Sequence, residues 1–334
     1  PSSGCAPSAT ACTFSFPDAA VLGVKILVTG SMAYDTIMVF PDRFRNHLLP
    51  DQLHILNVCF LTPQMRREFG GTAGNIAYNL KLLGEDPLLM ATVGEDIQPY
   101  LYRLERFGIG VKLLKQIPGQ FTAQAFITTD LDDNQITAFH PGAMNHSHEI
   151  QVDAKLGAGL AIVGPDGKEG MLQHSRQCAA HRIPFLFDPG QGLPMFSGEE
   201  LLEMVRLADY LAVNDYEGKL LEEKTGRSLE DLAGELKALI ATQGAQGSVV
   251  FAAGKRIDIP VVTAETVVDP TGCGDAYRAG LLYGISKGWD WESTGRLGSL
   301  MGAIKIAQRG PQNHKPSRDE IIERYRKAFG SSPF

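Results

Sequence analysis

The run VVDPTGCGDAYRAG at residues 267–280 places an acidic residue inside a glycine-rich turn. A β-branched segment, a loop with Pro and two Gly, and an Ala-rich segment follow one another, which predicts a strand, a tight turn and a helix N-terminus. The first turn of a helix exposes unpaired N–H groups at the positive end of its dipole and attracts anions. Asp275 lies in that turn, where a carboxylate could take a proton from a hydroxyl group that attacks a phosphoryl group. An ordinary strand–helix loop with an acidic first turn is the alternative interpretation.

A second glycine-rich loop, GGTAGN at residues 70–75, opens an apolar segment that predicts another helix. Asn75 would lie in its first turn, where an amide side chain can both donate and accept hydrogen bonds. A flexible loop followed by a helix cap would have the same pattern.

Together the two loops resemble the two signature sequences of the ribokinase-like (PfkB) carbohydrate and nucleoside kinases. The first loop matches in full, including the spacing of Asn75, Ala77, Gly84 and Gly94. The second departs only at Cys273, where the family usually has Ala or Gly. Cys is small and the anion site consists of backbone N–H groups, so we expect the change to be tolerated.

The resemblance covers residues 24–330 and implies a ribokinase-like three-layer α/β/α fold, with a central, mostly parallel sheet and a small β-sheet lid. It places the lid at about 36–61 and 111–145, where residues 53–61 and the hairpin pattern around residues 132–134 look extended. The lid would exclude water from the site. Residues 1–23 are rich in Ser, Ala, Pro and Thr and nearly uncharged, so we expect a disordered leader or a cloning remnant.

Short apolar segments typical of strands alternate along the chain with segments typical of helices, which predicts a mostly parallel sheet with helices on both faces. The predicted strands are 24–30, 88–93, 160–164, 185–188, 210–213, 248–252 and 261–268. The predicted helices are 99–107, 170–181, 198–208, 216–225, 229–240 and 293–307.

Composition narrows the functional classes. The chain has 334 residues, 44% of them hydrophobic, and a formal net charge of -7, which argues against a nucleic-acid partner. No apolar run is long enough to span a bilayer, so no membrane partner is expected. Five scattered cysteines without a CxxC pair fit a reducing, cytoplasmic location. The histidines near residue 146 lack metal-site spacing and are interpreted as surface residues.

The resemblance assigns roles to individual residues. On the acceptor side it implies Asp35 as the ligand of two sugar hydroxyls, together with Gly71, Thr72, Gly74 and Asn75. On the ATP side it implies Asn214, Thr242, Gly244, Gly247, Thr271 and Asn313. Glu217 would bind Mg²⁺, through water. Some relatives also bind K⁺ near the second motif, where Asp269 and Thr271 could supply oxygen ligands.

The implied mechanism is in-line phosphoryl transfer from ATP·Mg²⁺ to a primary hydroxyl group. Asp275 would act as the general base, and the N–H groups of Gly272, Cys273 and Gly274 would stabilise the transferring group. No Walker A sequence is present. The family contains both monomers and homodimers, and the sequence does not decide between them.

The acceptor is predicted to be a ribonucleoside, most readily adenosine. Gln124, Phe126 and Phe139 could offer an amide and two aromatic faces to a purine base. Residues 133–144 and 187–191 also resemble prokaryotic adenosine-kinase-type members. A free sugar such as ribose or fructose stays open, as does a non-catalytic ligand-binding protein on the same fold. A nicotinamide dehydrogenase is disfavoured because no GxGxxG follows the first strand.

Overall fold

A computed structural model describes residues 23–48, 57–132 and 134–334. The predicted leader, apart from Gly23, lies outside the described residues. The strands are β1 (Ile26–Thr29), β2 (Ala33–Val39), β3 (Gln64–Gly70), β4 (Leu88–Val93), β5 (Leu113–Gln116), β6 (Ala123–Thr129), β7 (Gln135–His140), β8 (Leu160–Val163), β9 (Phe185–Phe187), β10 (Tyr210–Asn214), β11 (Ala238–Thr242), β12 (Ser248–Ala252) and β13 (Lys255–Ile259). The helices are α1 (Thr72–Leu82), α2 (Gln98–Arg106), α3 (Lys168–Ala180), α4 (Gly198–Leu207), α5 (Asp215–Thr225), α6 (Leu229–Ala233), α7 (Cys273–Ser286), α8 (Trp291–Ile306) and α9 (Arg318–Phe329).

Nine strands form a large sheet in the order β13-β12-β11-β10-β9-β8-β1-β4-β5. Every pairing from β11 to β5 is parallel, and only β12 and β13 add antiparallel strands at one edge. Because parallel strands end at the same edge of a sheet, the loops after β1, β8, β9, β10 and β11 are neighbours.

Side-chain alternation divides the core between the two faces of this sheet. Ile26 and Val28 of β1 belong to one buried cluster, which includes residues of α1, α2, α7, α8 and α9. Leu27 belongs to a second cluster, which includes residues of α3, α4, α5 and α6. Successive strand residues point to opposite faces, so both faces are covered. The predicted three-layer α/β/α fold is confirmed.

Four strands form a separate small sheet in the order β3-β2-β6-β7. Strands β2 and β6 are parallel, and the two outer strands are antiparallel to their neighbours. The predicted hairpin is present as β6 and β7. Of the segment predicted to be extended at 53–61, residues 53–56 lie outside the described residues and 57–61 form no strand, whereas β3 begins at Gln64.

Two predicted elements are wrong. The helix predicted at 229–240 ends at Ala233, because Gly234 follows it and Ala238–Thr242 instead pairs with both β10 and β12. The strand predicted at 261–268 is an irregular segment, since the edge position that it would need is taken by β13. The second glycine-rich motif is therefore reached by a long loop rather than directly from a strand.

No helix within the described ranges is long and apolar enough to cross a membrane. The described residues also contain no group of three or more His, Cys, Asp and Glu that could hold a metal ion. His146 lies beside Glu149, with a hydrogen-bond distance of 2.9 Å between Nδ1 and Oε1.

Candidate active site

The two glycine-rich motifs meet at the first turns of α1 and α7. Asn75 Nδ2 donates a hydrogen bond of 2.8 Å to Asp275 Oδ2, joining residues 200 positions apart in the sequence. Asn75 Oδ1 accepts a bond of 3.0 Å from Gln312 Nε2, so the amide orientation is fixed from both sides. Tyr100 continues this network, because its hydroxyl group lies 2.5 Å from Gln312 Nε2 and donates to the Gly70 carbonyl oxygen at 2.8 Å.

Backbone geometry explains the glycine that precedes α7. Gly272 is the N-cap of the helix and has φ of 81°, a left-handed conformation that Gly adopts readily. A Cβ atom at this position would lie 2.7 Å from Pro311 Cβ. The loop therefore requires Gly both for its conformation and for its contact with the segment after α8.

One of the backbone N–H groups predicted to bind phosphate is already hydrogen-bonded within the protein. The N–H of Cys273 donates to the Pro270 carbonyl oxygen at 3.1 Å, which is a correction to its predicted role in binding phosphate. Gly274 and Asp275 are the second and third residues of α7, and N–H groups at these positions have no acceptor inside the helix. Burial raises the pKa of the Cys273 thiol to about 11, so this side chain is a neutral group at physiological pH.

Burial raises the pKa of Asp275 to about 7. The nearby carboxylates of Asp188 and Asp35 act in the same direction, whereas the Asn75 hydrogen bond and the Arg278 charge lower the pKa. A carboxylate with a pKa near neutrality is both able to accept a proton and able to release it again.

Asp35 lies on β2 of the small sheet, and its charge acts on Asp275 at the start of α7. The space between these two carboxylates is called the cleft below. Burial raises its pKa to about 6, and the carboxylates of Asp269 and Glu68 add to this effect. Gly70 makes room for this carboxylate, because a Cβ atom there would lie 2.7 Å from Asp35 Oδ2. Gly71, with φ of 84°, would place a Cβ atom 2.5 Å from the Ala33 backbone nitrogen.

The remaining predicted residues of the first motif have structural contacts. Thr72 donates from Oγ1 to the Pro165 carbonyl oxygen at 3.1 Å, which ties the start of α1 to the loop after β8. A Cβ atom on Gly74 would lie 2.1 Å from the Tyr100 hydroxyl oxygen, so that position also requires glycine.

A buried ion-pair cluster lies behind Asp275. Arg278, one helical turn further along α7, donates from Nε and Nη2 to the two carboxylate oxygens of Asp188 at 3.0 and 3.1 Å. Its Nη2 atom also lies 3.8 Å from Glu217 Oε2. Arg278 and Asp188 are each only 4% exposed, so this pairing compensates the cost of burying both charges.

Two of the predicted ATP-side residues are direct neighbours, since Asn214 ends β10 and pairs in register with Thr242 at the end of β11. Asn214 and Glu217 form a reciprocal capping box for α5, with bonds of 2.7 and 2.8 Å. Gly247 is required in the turn after β11, because a Cβ atom there would lie 2.3 Å from the Ile259 carbonyl oxygen. Gly244 has φ of 55° and open space around it.

Thr271 and Asn313 lie on the loops that flank Gly272. Thr271 is exposed, and its N–H donates to Asp269 Oδ1 at 2.9 Å. Asn313 donates from Nδ2 to Glu68 Oε2 of the small sheet at 2.8 Å.

The three residues predicted to recognise a base are not brought together. Asp35 pairs with Ala125, which pairs with Phe139, and directly paired residues share a face of a sheet. Gln124 and Phe126 flank Ala125 and therefore point to the opposite face. Gln124 is buried there and donates to Asp96 Oδ2 at 3.0 Å.

Sequence reasoning missed several residues of this site. Arg278 stands inside the quoted motif, and its spacing of three residues from Asp275 could have placed it on the same helix face. Asp188 lies in the segment 187–191 that resembles prokaryotic members, but the resemblance gave it no role. Gln312 and Tyr100 carry no local signal, because their partners come from distant parts of the chain.

Comparisons with known proteins agree with this geometry. The family model described as pfkB family carbohydrate kinase matches residues 28–318. A nucleoside kinase of Methanocaldococcus jannaschii is 33% identical over 273 residues, which are 81% of this chain and 90% of the relative. The structure of Burkholderia thailandensis nucleoside kinase in complex with inosine is 52% identical, has a TM-score of 0.83, and is matched over 92% of this chain and 99% of that one. The same kinase in complex with ADP-inosine is 54% identical, with a TM-score of 0.81, over 92% and 97% of the two chains.

An acidic residue at a helix N-terminus, facing a cleft between a parallel sheet and a small lid sheet, defines a phosphotransferase of the ribokinase-like class. The chain belongs to the pfkB family of carbohydrate kinases, and it is an ATP-dependent phosphotransferase.

Proposed function

We propose that this protein transfers the γ-phosphoryl group of ATP to the 5′-hydroxyl group of a ribonucleoside, with adenosine as the first candidate. The observation that carries the proposal is the hydrogen bond between Asn75 and Asp275. It holds a carboxylate with a pKa near 7 beside the N–H groups of a helix N-terminus, opposite a second carboxylate on the small sheet.

In this mechanism the acceptor oxygen attacks the γ-phosphorus and forms a new O–P bond. The bond from the γ-phosphorus to the oxygen bridging it to the β-phosphate breaks, and ADP leaves. Asp275 takes the hydroxyl proton, and the N–H groups of Gly274 and Asp275 stabilise the charge on the transferring group. Gly272 gives the loop the conformation that directs these N–H groups into the cleft.

Asp35 fits the acceptor end of the cleft, since a carboxylate can accept hydrogen bonds from both hydroxyl groups of a ribose. Phe139 shares its face of the small sheet and is 53% exposed, so it remains a candidate for contact with the base. Gln124 and Phe126 are left out of the proposed base contacts, because they face the other way.

Mg²⁺ is expected with ATP, and Glu217 after β10 is the residue that could hold it, through water, because Mg²⁺ binds few protein carboxylates while it keeps several waters. Asp188 is not assigned to the ion, because both of its carboxylate oxygens accept hydrogen bonds from Arg278. When bound, the ion would neutralise charge on the phosphates. The potassium ion implied by the resemblance is not part of this proposal, because the Asp269 carbonyl oxygen that would bind it already accepts a hydrogen bond from Lys305.

The named relatives support a nucleoside acceptor over a free sugar. The Methanocaldococcus jannaschii relative is a nucleoside kinase, and the Burkholderia thailandensis nucleoside kinase has been solved with inosine. The two matches cover 81% and 92% of this chain.

A coupled ADP-release assay with ATP·Mg²⁺ tests the proposal. Adenosine, inosine, guanosine, cytidine, ribose, fructose and fructose phosphates would each be offered as the acceptor. The proposal expects turnover with adenosine or another ribonucleoside and little with free sugars. Turnover of a free sugar alone would overturn the nucleoside assignment, and ADP release that no acceptor increases would favour the ligand-binding alternative.

A further inference from the structure

Lys305, near the C-terminal end of α8, carries its charge in the interior of the protein. The side chain is 0% exposed, and its Nζ atom donates to the Asp269 carbonyl oxygen at 2.6 Å and to the Gln308 carbonyl oxygen at 3.2 Å. The Asp269 carboxylate lies further away, with Oδ1 4.0 Å from Nζ. A fully buried lysine is rare and costly, so its oxygen ligands must offset the loss of hydration.

Those ligands belong to the two loops that frame the N-terminus of α7. The Asp269 carboxylate accepts bonds from the N–H groups of Thr271 and Gly310, at 2.9 and 2.8 Å. Lys305 binds the carbonyl group of the same Asp269 and thereby links both loops to α8. Pro311, the residue after Gly310, sits against Gly272. The Lys305 ammonium group therefore supports the turn that leads into α7. The first N–H groups of that helix, those of Gly274 and Asp275, are the ones proposed to bind phosphate.

The position of this ammonium group bears on the predicted potassium ion. Asp269 and Thr271 are the residues expected to supply oxygen ligands to such an ion. Its carbonyl oxygen is already bound to a fixed positive charge, and a second cation on the same oxygen would meet the ammonium group at close range. The residues present do not fit a separate monovalent cation at this place.

We propose that Lys305 is a covalently held replacement for a monovalent cation, a positioning residue that fixes the Asp269–Gly272 turn and makes phosphate binding independent of added K⁺. The turnover assays below rest on the proposed nucleoside kinase function, whereas the ADP-binding assay does not. The role is indirect, because Lys305 acts through the turn and not on the reacting atoms.

The first arm uses the wild-type protein. ADP binding by calorimetry and turnover with adenosine or another accepted nucleoside would be measured in tetramethylammonium chloride, with KCl or NH₄Cl substituted at constant ionic strength. The proposal expects both the Kd for ADP and kcat to stay the same across these salts. A clear activation or tightening by K⁺ would overturn it. If no acceptor gives turnover, the proposed function is contradicted, and the dependence of ADP binding on K⁺ alone tests the role of Lys305.

The second arm replaces the charge. Lys305→Met keeps most of the side-chain length but removes the ammonium group, and Lys255→Met on the exposed strand β13 is the matched control. We expect the Lys305 variant to raise the KM for ATP and lower kcat/KM by about 10²-fold, because small displacements of positioning groups have effects of that size. Wild-type values in a folded Lys305→Met protein would contradict the proposal.

Chemical rescue separates a cation site from a purely structural lysine. In Lys305→Ala, the truncated side chain leaves space for NH₄⁺, K⁺ or ethylammonium beside the Asp269 carbonyl oxygen. The proposal expects these ions to restore part of the ATP affinity, and tetramethylammonium to have no effect. A folded variant that no small cation improves would overturn the cation role. If neither variant folds, the salt series on the wild-type protein decides the question.

Discussion

At the scale of single residues, Asp275 is subject to opposing influences. Burial and two neighbouring carboxylates raise its pKa to about 7, while Asn75 and Arg278 act against them. Asp275 thus remains available as a base at neutral pH although it lies in a cluster of acidic groups. The raised pKa also means that the ionised form of Asp275 lowers the free energy of unfolding, because the folded protein binds the proton more tightly than the unfolded chain does.

Replacement of Asp275 by Asn tests its role as the base. Asn retains the shape but cannot accept the proton, so kcat should fall by about 10²–10⁴-fold. In the wild-type protein, kcat/KM should rise with pH and level off above about 7, where Asp275 is ionised. Initial rates from pH 5 to 9 measure this, and a variant with wild-type turnover would rule out the assigned role.

The Asp275→Asn substitution should also change the thermal stability of the protein in a pH-dependent way. Since the folded-state pKa of Asp275 is raised from 3.8 to about 7, its protonated form stabilises the fold, and this contribution is lost as pH rises through that interval. Asp275→Asn should therefore gain Tm relative to wild type at pH 8 but not at pH 4. Thermal unfolding at both pH values checks this, and an equal difference at the two would contradict the raised pKa.

Arg278 offers a second prediction at this scale. Arg278→Met leaves Asp188 as an unpaired buried charge and should lower the free energy of unfolding by about 3–5 kcal/mol. The double variant with Asp188→Asn should lose much less, because the orphaned charge is removed as well. Urea denaturation of the single and double variants completes the cycle. Additive losses would show that the pair is not coupled.

These residues also mark how far the sequence predicts the site. Asp275, Asn75, Asp35 and the glycine turns could be predicted, because local motifs contain them. Arg278 was not recognised, since its partners Asp188 and Glu217 come from two other loops. Gln124 and Phe126 were expected to contact the base together with Phe139, but they lie on the opposite face of the small sheet, because the register of that sheet is not visible in a local pattern.

At the scale of elements, the site depends on how two helices begin. Helices α1 and α7 both start at glycine N-caps with positive φ, at Gly71 and Gly272. Glycine and capping residues mark helix starts in the sequence. The Ser317–Glu320 capping box that opens α9 is a further case. The helix predicted at 229–240 was too long, since only Leu229–Ala233 forms, and the strand predicted at 261–268 is absent. Both depended on which strands pair, which is a tertiary property.

Gly272→Ala tests the requirement for glycine. The new Cβ would need a left-handed conformation and would meet Pro311 at 2.7 Å, so we expect a loss of about 1–3 kcal/mol in the free energy of unfolding. Gly274→Ala is the control on the same turn, because its φ is not positive and its nearest contact is 3.6 Å from Arg278 Nη1. Equal losses from both changes would contradict the strain at Gly272.

At the scale of the whole molecule, the proposed function places ATP beside the large sheet and the acceptor beside the small sheet. The small sheet contacts the elements that cover the large sheet through aromatic and polar groups. Tyr34 and Phe69 pack against Tyr100 of α2, with ring centroids 5.8 and 4.9 Å apart, and Asn313 donates to Glu68. The two-sheet division was predictable from the resemblance, whereas β3 was not, because its polar residues give a weak strand pattern.

The proposed function predicts that a nucleotide and a nucleoside bind the folded protein at the same time, so the two together should stabilise it more than either one alone. A ligand that binds only the folded state at 100 times its Kd adds about 2.7 kcal/mol. We expect ADP and adenosine to raise Tm in combination beyond either alone, and ribose to add little. Scanning fluorimetry with each ligand and each pair measures this, and a pairwise effect with ribose but not with the nucleoside would favour a sugar acceptor.

The most direct test of the account is the identity of the phosphorylated product. ³¹P NMR would follow ATP·Mg²⁺ and adenosine with the wild-type protein and with Asp275→Asn. The account predicts a new phosphorus signal coupled to the two 5′ protons of the nucleoside, formed by the wild type and not by the variant. Orthophosphate as the only product, or phosphate on another hydroxyl group, would contradict it.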